Sequence, residues 1–307
     1  MTPHDPLEPT FSIVIPTCSR PLQLSACLAS MARLNYPDDK LEVIVVNDGG
    51  SDLPESLIQQ TRKNIPISLH SQEKSGPATA RNVGARHAMG EYLAFTDDDC
   101  APDSEWLRCL ASRFASAPRS MVGGMTINGL EQNPFATVSQ IIVSYLCAET
   151  IQRPEPMRFF ASNNFAVLKN LFDKTGGFDE TFPLAASEDR DFCYRWWQNG
   201  YRMYYAPEVV VFHFHALHSL TFFRQHFNYG RGAFQFFRKH FNSQKRTFPV
   251  KPLPFYLNLL RYLFSRSKNR MAPFLIPLLA VSQLATFAGY MQQHYQFTVH
   301  GSQTLKR

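Results

Sequence analysis

Short apolar runs alternate with segments of helical periodicity along the first hundred residues. The runs FSIVIP (11–16), LEVIVV (41–46) and EYLAFT (91–96) predict buried strands, and a further short strand is expected near 65–69. The intervening segments predict three helices. The first begins near Pro21, and the other two span about 54–63 and 77–88. Strands that alternate with helices in this way indicate an α/β fold, with a mostly parallel sheet that helices cover on both faces.

The pattern is less regular beyond residue 100. Helices are predicted near 104–116 and 135–148, with a strand between them near 120–124. The segment SEDRDFCYRWWQNGY predicts a helix that has acidic residues in its first turn and ends at Gly200. The segment RMYYAPEVVVFHFH, which follows it, predicts a pair of strands.

Polar clusters stand at the ends of three predicted strands, with the sequences TCSR, NDGGSD and DDDC. Ligands of α/β sheets bind at the carboxyl ends of the strands, so these clusters indicate one shared crevice. No GxGxxG motif follows the first strand, and the chain has no GxxxxGK[ST] motif. These absences disfavour a dinucleotide-binding domain and a P-loop nucleotide hydrolase.

The composition is that of a folded protein with a sizeable core. Hydrophobic residues make up 44% of the 307 residues. The six cysteines are scattered and form no CxxC pair, which is typical of reduced thiols in a cytosolic setting. The segment MTPHDPLEPTF at the start has neither a basic nor an apolar region, so we expect no secretory signal there.

Charge is divided unequally along the chain. No Asp or Glu follows Glu208, whereas 13 of the 31 Lys and Arg residues do, so the net charge is −7 before this point and +13 after it. Such a division indicates a globular body and an arm that meets an anionic surface, either a membrane or a nucleic acid.

The arm contains a predicted helix and a long uncharged segment. Phenylalanines recur at helical spacing and arginines recur every seven residues in HSLTFFRQHFNYGRGAFQFFRKHF, a pattern that fits either interfacial membrane binding or packing on the body. Residues 271–291 carry no charge and are long enough to span a bilayer, although Pro273, Pro277 and Gln283 weaken insertion. Arg266, Lys268 and Arg270 precede this segment and suit a cytoplasmic flank.

The run FTDDDC (95–100) places three carboxylates side by side after an apolar strand. Neighbouring carboxylates repel one another, so the cluster needs a compensating charge. One interpretation is a solvated acidic turn before the next helix, capped by Asp103 or Ser104. The other is a divalent cation held by hard oxygen ligands, with a phosphate as a further ligand.

Six motifs in order decide between these interpretations. The segments IVIPTCSR, VIVVNDGGSD, GPATARNVGARHAMGEYLAFTDDDC, TGGFDE, SEDRDFCYRWWQNGY and VVVFHFH resemble the family 2 glycosyltransferases over roughly residues 10–215. The resemblance implies a GT-A catalytic domain at 10–215, a nucleotide-sugar donor (most often a UDP-sugar), Mn²⁺ or Mg²⁺, and inversion at the anomeric carbon. Residues 216–307 then form the helical, membrane-associating arm.

The resemblance also assigns roles to individual residues. Asp189 is implied as the base that deprotonates the acceptor hydroxyl. Glu188 is implied as a residue that orients the acceptor or lines the site. Asp99 is implied as the metal ligand, with Asp97 as a metal or ribose contact and His213 completing the metal shell. The remaining assignments are Thr17, Asp48, Arg81 and Asp98 for donor binding, and Asn163, Asn164, Gly176 and Gly177 for the acceptor loop.

Two positions depart from the family pattern, and simpler interpretations stay open for several others. Asn47 stands where the family usually has a second acid beside Asp48, and Ser187 stands where it often has glycine. The NDGG segment could be a plain Asx turn, and the acids of SEDRD could serve only the helix dipole. The spacing of HFH without cysteines is a weak zinc signature.

We therefore expect a membrane-associated inverting glycosyltransferase on the cytoplasmic face of the cell membrane, of the kind used for cell-envelope polysaccharides. Its acceptor would be lipid-linked, a glycan or a small molecule. The rival hypotheses are a nucleotidyltransferase with a similar sheet and a catalytically silent module that binds a nucleotide sugar or RNA. The uncharged segment of the arm favours lipid, so no nucleic acid partner is expected.

Overall fold

The computed structural model describes residues 8–50, 65–151, 159–182, 184, 186–241, 253–266 and 272–304. The strands among these residues are β1 (Phe11–Thr17), β2 (Leu41–Asp48), β3 (Ile67–Gln72), β4 (Tyr92–Phe95), β5 (Cys100–Pro102), β6 (Met121–Asn128), β7 (Phe165–Leu168) and β8 (Met203–His213). The helices are α1 (Pro21–Met31), α2 (Pro77–His87), α3 (Trp106–Ser116), α4 (Pro134–Ile151), α5 (Lys169–Thr175), α6 (Glu188–Gln198), α7 (Ser219–Phe241), α8 (Leu253–Arg266) and α9 (Ala272–Thr304). The helix predicted near 54–63 and the basic flank at 267–270 lie outside the described residues.

The eight strands form one mixed sheet in the order β3-β2-β1-β4-β7-β6-β8-β5. The first four strands are parallel, as the alternating pattern predicts, whereas β7 is antiparallel to both β4 and β6. The expectation of paired strands in the segment 202–215 was wrong. That segment forms the single strand β8, which pairs with β6 on one side and with β5 on the other.

Two hydrophobic layers sandwich the sheet and explain its apolar strand sequences. Ile13 and Ile15 of β1 pack with Leu24 of α1 and Trp106 of α3 on one face. Val14, on the opposite side of the same strand, packs with α2 and α6. Because a strand buried on both faces has no position that water solvates, it is a continuous apolar run and shows no alternation. The carboxyl ends of these strands are the edge at which the polar clusters lie.

A third hydrophobic cluster joins the arm to the body. It contains Val138 and Tyr145 of α4, Phe222 of α7, Leu259 of α8 and Leu275 of α9. Packing on the body, one of the two interpretations of the first arm helix, is therefore realised at this cluster.

Helix α9 fits the membrane-associating arm expected near 271–291, and it is longer than expected. Its stretch Pro273–Val299 is long and apolar enough to cross a membrane, and only 28% of its most apolar window is buried inside the protein. The helix continues through Pro277. Large apolar side chains on its outer face are exposed, including Phe274, Leu284 and Tyr295.

Helices α7 and α9 approach one another closely at two glycines. A Cβ atom at Gly289 would lie 1.8 Å from the backbone oxygen of Phe227, and one at Gly230 would lie 1.9 Å from that of Thr286. The clash would be with backbone atoms, so no side-chain rotation could relieve it. These glycines therefore set the distance between the two helices.

We expect Gly289→Ala to lower the thermal stability of the full chain in detergent, because the helices must separate to admit the new methyl group. Helix propensity alone would predict the opposite sign, a gain of about 1 kcal/mol. Ala288→Leu, on the exposed neighbouring position, is the matched control and should leave the melting temperature unchanged. An increase in stability for Gly289→Ala would contradict the observed approach of α7 and α9.

Candidate active site

The three adjacent carboxylates after β4 are compensated by the protein itself. Asp98 accepts hydrogen bonds from the hydroxyl of Thr17 at 2.7 Å and from the guanidinium of Arg20 at 3.0 Å. Arg20 also contacts Asp99 at 3.2 Å. Burial raises the pKa of Asp98 to about 6, an effect that Arg20 and Thr17 only partly offset. Arg20 belongs to the quoted TCSR motif, but sequence analysis assigned it no role.

Asp99 forms a second group with two histidines that stand two residues apart at the end of β8. The Nε2 atom of His213 lies 3.2 Å from Asp99, and its Nδ1 atom lies 3.4 Å from the side-chain oxygen of Gln140. Asp99, His213 and His215 each present one ligand atom, and these atoms all lie within 4.8 Å of one another.

The electrostatics of this group suit a cation. Burial lowers the pKa of His215 to about 4, so its imidazole is neutral at physiological pH and can offer a nitrogen lone pair. Burial opposes the charged forms of Asp99 and His213, but their mutual hydrogen bond and the attraction between their charges together outweigh it, so the pKa of Asp99 is lowered and that of His213 is raised. One carboxylate and two imidazoles are a donor set that binds divalent transition metals, so the residues fit the metal that the resemblance implies.

The motifs predicted Asp97 beside Asp99 as a metal contact and, of the two histidines on one face of HFH, gave a metal role to His213 and none to His215. Within the part of the chain that the structure describes, Asp97 does not belong to the Asp99–histidine group. The signal for His215 was present in HFH, because residues two apart on an extended segment face the same side.

Arg81 joins the acidic triplet to the first turn of helix α6. Its guanidinium is buried and donates to Asp97 at 2.7 Å and to Glu188 at 3.1 Å. The ring of Phe178 lies 5.6 Å from the guanidinium carbon. The Nε atom of Arg81 and one carboxylate oxygen of Glu188 are buried, and neither has a hydrogen-bond partner among the described residues.

The two acids at the start of α6 have raised pKa values. Burial is the main cause for both, and the charge of Asp189 adds to it at Glu188. Asp189 is half-buried, and its carboxylate accepts hydrogen bonds from the backbone N–H groups of Arg190 at 2.7 Å and Ser162 at 3.4 Å. A carboxylate whose pKa lies nearer neutrality is a better general base, because its affinity for a proton is higher.

Asp48 holds the loop that leads into α2. Its carboxylate accepts hydrogen bonds from the side chain of Gln72 at 2.8 Å and from the backbone N–H groups of Ser75 and Gly76 at 2.7 and 2.9 Å. The role as a contact to the nucleotide base stays a prediction, and the observed bonds show that Asp48 also shapes this side of the crevice.

The predicted acceptor residues Asn163 and Asn164 differ in their surroundings. Asn164 accepts a hydrogen bond from Trp106 and donates to two backbone carbonyl groups, at distances of 2.9 to 3.0 Å. Its whole amide is thus used to connect α3, β6 and β8. Asn163 accepts a hydrogen bond from Thr126 at 3.2 Å, and Thr126 lines the cavity described below.

The turn TGGFDE is fixed by hydrogen bonds. Gly176 and Gly177 have φ angles of +85° and +62°, which residues with a Cβ atom rarely adopt. The side chain of Asn82 bonds the backbone of Phe178 on both its N–H and its carbonyl group, at 2.9 and 2.8 Å. Arg195 of α6 donates to the carbonyl oxygen of Gly177 at 2.6 Å. These bonds attach the turn to α2 and α6, the helices that carry Arg81 and Asp189.

Helix α7 of the arm contributes residues to the same site. Gln225 donates to the hydroxyl of Tyr229 at 2.6 Å. Burial, followed by the charges of Asp189 and Glu188, raises the pKa of this phenol. His226 is buried, and within the described part of the chain its Nε2 atom has no hydrogen-bond partner. Sequence analysis missed these residues because it weighed the arm only as a membrane contact or a packing helix.

The far end of α7 is attached to α6. Asp191 is fully buried and accepts hydrogen bonds from Arg195, Lys239 and His240 at 2.7 to 2.8 Å. Separating a buried carboxylate from three hydrogen-bond donors costs much free energy, so these bonds hold α7 firmly to α6.

The chain has known relatives. Residues 12–179, more than half of the chain, match the family model described as Glycosyl transferase family 2. The glycosyltransferase AglE of Haloferax volcanii is 26% identical over 249 residues, which are 79% of this chain and 79% of AglE. Several other curated glycosyltransferases match at 28% identity, and the chain spans about half of their length.

Two solved structures share the fold. The mannosyltransferase PcManGT from Pyrobaculum calidifontis, in complex with GDP-Man and Mn²⁺, has a TM-score of 0.63 and 20% identity over 95% of this chain and 87% of its own. Residues 1–349 of S. aureus TarS, in complex with UDP-GlcNAc, have a TM-score of 0.54 and 17% identity over 95% of this chain and 92% of that chain. They confirm the GT-A fold class.

We expect Arg81→Met to cost about 3 kcal/mol of unfolding free energy, because it leaves buried carboxylates without a counter-charge. Without Arg81 the buried carboxyl of Glu188 avoids this penalty only when it is protonated, so its pKa in the folded variant rises above the native value of about 7. Both proteins then lose stability equally as pH rises from about 4.5 to 7, and the variant loses more than the native protein above pH 7. Urea unfolding at pH 5.5 and pH 8 measures this.

The matched control is Arg86→Met, because Arg86 is an exposed residue on the same helix. Its stability should equal that of the native protein at both pH values. An equal loss of stability between the two pH values in the Arg81 variant and the native protein would show that Glu188 does not depend on Arg81.

Proposed function

Because the chain belongs to glycosyl transferase family 2, we propose that it moves a sugar from a nucleoside diphosphate to an acceptor hydroxyl in a single inverting displacement, with Asp189 as the base. The chain is a glycosyltransferase that uses a nucleotide sugar, and this excludes the two rival hypotheses, the nucleotidyltransferase and the silent binding module. The single observation that carries the proposal is the bridge of Arg81 between Asp97 and Glu188, which brings the metal-binding and base-bearing segments together.

The proton and the bonds balance in this step. The acceptor hydroxyl gives its proton to the Asp189 carboxylate, and its oxygen forms a bond to the anomeric carbon. The bond from that carbon to the diphosphate breaks, and the nucleoside diphosphate leaves with the electron pair. One displacement from the side opposite the leaving group inverts the configuration. The two backbone N–H groups that fix Asp189 support this role, because a base must be held in one position.

Asp99, His213 and His215 would hold the divalent metal in this proposal. When bound, such an ion acts as a Lewis acid that neutralises charge on the leaving diphosphate. The two imidazoles favour Mn²⁺ over Mg²⁺, which prefers oxygen ligands and retains its waters. The related mannosyltransferase was solved with Mn²⁺, which supports the same choice.

Arg81 and Glu188 act here as positioning residues. Glu188 fixes the guanidinium that holds Asp97, and its raised pKa shows that burial leaves its charge poorly compensated. We assign residues 10–215 to catalysis, as expected from the motifs. We extend the site to α7 because burial and the charges of Asp189 and Glu188 raise the pKa of Tyr229 and because His226 interacts electrostatically with His215. The exposed apolar face of α9 supports a location at a membrane. We place the active site on the cytoplasmic side of that membrane.

The nucleotide is the first quantity to measure, because the two structural neighbours bind GDP-Man and UDP-GlcNAc respectively. We expect one of UDP, GDP and dTDP, with UDP favoured, to raise the melting temperature only when Mn²⁺ is present. At a hundred times its dissociation constant a ligand stabilises by about 2.7 kcal/mol. Asp99→Ala and His215→Ala should each abolish the Mn²⁺-dependent shift, whereas Asp39→Ala, at an exposed position, should retain it. A shift that persists in both site variants would place the metal elsewhere.

We expect Asp189→Asn to lower kcat by about 10²- to 10⁴-fold, because the amide cannot accept the proton. The Mn²⁺-dependent nucleotide shift should stay unchanged, since Asp189 lies outside the group formed by Asp99 and the two histidines. Release of nucleoside diphosphate from the donor measures turnover. Asp173→Asn is the matched control and should be fully active, because Asp173 is an exposed residue of α5. A fully active Asp189 variant would assign the base to another residue.

A further inference from the structure

A large cavity lies between strand β6 and helix α4. Its volume is about 1520 Å³, which exceeds the roughly 300–1,000 Å³ of common small-molecule pockets. Its lining includes Phe160 and Ala161, which precede β7 in the chain, Tyr262 of α8 and Leu275 of α9. A cavity of this size has room for a large molecule, and the chemistry of its lining indicates what that molecule is.

Part of the cavity lining lies beside the proposed base and the metal group. Ala161 lines the cavity, and the next residue, Ser162, donates its backbone N–H to Asp189. Gln140 also lines the cavity and contacts His213 of the metal group. A hydroxyl group next to these two lining residues would therefore lie close to the reacting centre.

Another part of the lining belongs to the arm. Leu217, Tyr262 and Leu275 line the cavity, and Leu275 belongs to the stretch Pro273–Val299 that is long and apolar enough to cross a membrane. The cavity is therefore lined both by a residue next to the proposed base contact and by the helix that could meet lipid.

The lining is poor in charge. Among the described residues that form it there is no lysine or arginine, and the acidic member is Glu131. Helix α4 contributes an apolar wall that includes Phe135, Ile141 and Val143. A polyanionic acceptor would need basic contacts, which this wall lacks, whereas a hydrocarbon chain gains about 0.8 kcal/mol for each buried CH₂ group.

We propose that this cavity binds the hydrocarbon chain of a membrane-resident, lipid-linked acceptor and thereby presents the acceptor hydroxyl to Asp189. The inference rests on the proposed function, because it takes Asp189 as the base. It narrows the acceptor from the three expected classes to the lipid-linked one. The apolar wall of α4 binds the hydrocarbon chain, and the part of the cavity near Asp189 receives the hydroxyl-bearing group.

The test is photolabelling of the full chain in nanodiscs with a long-chain isoprenoid alcohol that carries a diazirine close to its hydroxyl end, the part that the proposal places in the cavity. Labelled peptides are identified by mass spectrometry. We expect labels on α4 between residues 134 and 148, displaced by an excess of the untagged alcohol. Val143→Trp narrows the cavity and should reduce labelling of α4 about tenfold. Leu284→Trp, on the exposed face of α9, is the matched control and should leave it unchanged.

The nucleotide shift with Mn²⁺ is measured on the same samples and reports folding and donor binding independently. A Val143→Trp variant that lacks this shift is replaced by Ser144→Trp, on the next residue of the same wall. Two results would overturn the inference without affecting the proposed donor site, provided that the nucleotide shift with Mn²⁺ is observed. One is labelling confined to α9, and the other is labelling of α4 that neither substitution reduces. Labels on α4 in a protein without any nucleotide shift would support the cavity and contradict the proposed function.

Discussion

The bridge of Arg81 between Asp97 and Glu188 is the interaction on which the site depends. The two carboxylates belong to segments far apart in the chain, and Glu188 is 107 residues from Arg81. A buried guanidinium is stable only where carboxylates surround it, and the carboxylates are stable in this position only because the guanidinium is there. The loop proposed to bind the metal and the helix that carries the proposed base are therefore held in one arrangement before any substrate arrives, which reduces the reorganisation that catalysis would otherwise require.

The same reasoning explains why three adjacent carboxylates are tolerated. Sequence analysis expected the donor and its metal to supply the missing positive charge, but Arg20 and Arg81 already contact the triplet. The compensation is uneven. Asp97 and Asp98 each have a close arginine contact, whereas Asp99 relies on a longer contact to Arg20 and on His213. The lowered pKa of Asp99 keeps this carboxyl group ionised, as a metal ligand must be.

Much of the fold and the site followed from the sequence, because local patterns encode them. Burial on both faces makes β1 and β2 continuous apolar runs, and the polar clusters at strand ends marked the crevice. Pairing between distant strands leaves no local pattern, so the antiparallel insertion of β7 and the double pairing of β8 were not predicted. The contribution of α7 was missed for a related reason. Its apolar and basic residues dominate the pattern, whereas Gln225 and Tyr229 reveal their role only by the carboxylates near them.

The arm is therefore a structural part of the proposed catalytic centre as well as the proposed contact to the membrane. At one end of α7, Lys239 and His240 satisfy the buried Asp191 of the helix that carries Asp189. Along its length, close contacts at Gly230 and Gly289 fix its distance from α9. These contacts form a continuous path from the exposed face of α9 to the first turn of α6. The glycine contacts involve backbone atoms and the Asp191 contacts hold a buried charge, so neither is easily broken. If α9 lies in a lipid layer, as proposed, its position there also determines how the proposed base faces that layer. A membrane-resident acceptor would then meet the base in a fixed orientation, which a flexible tether could not provide.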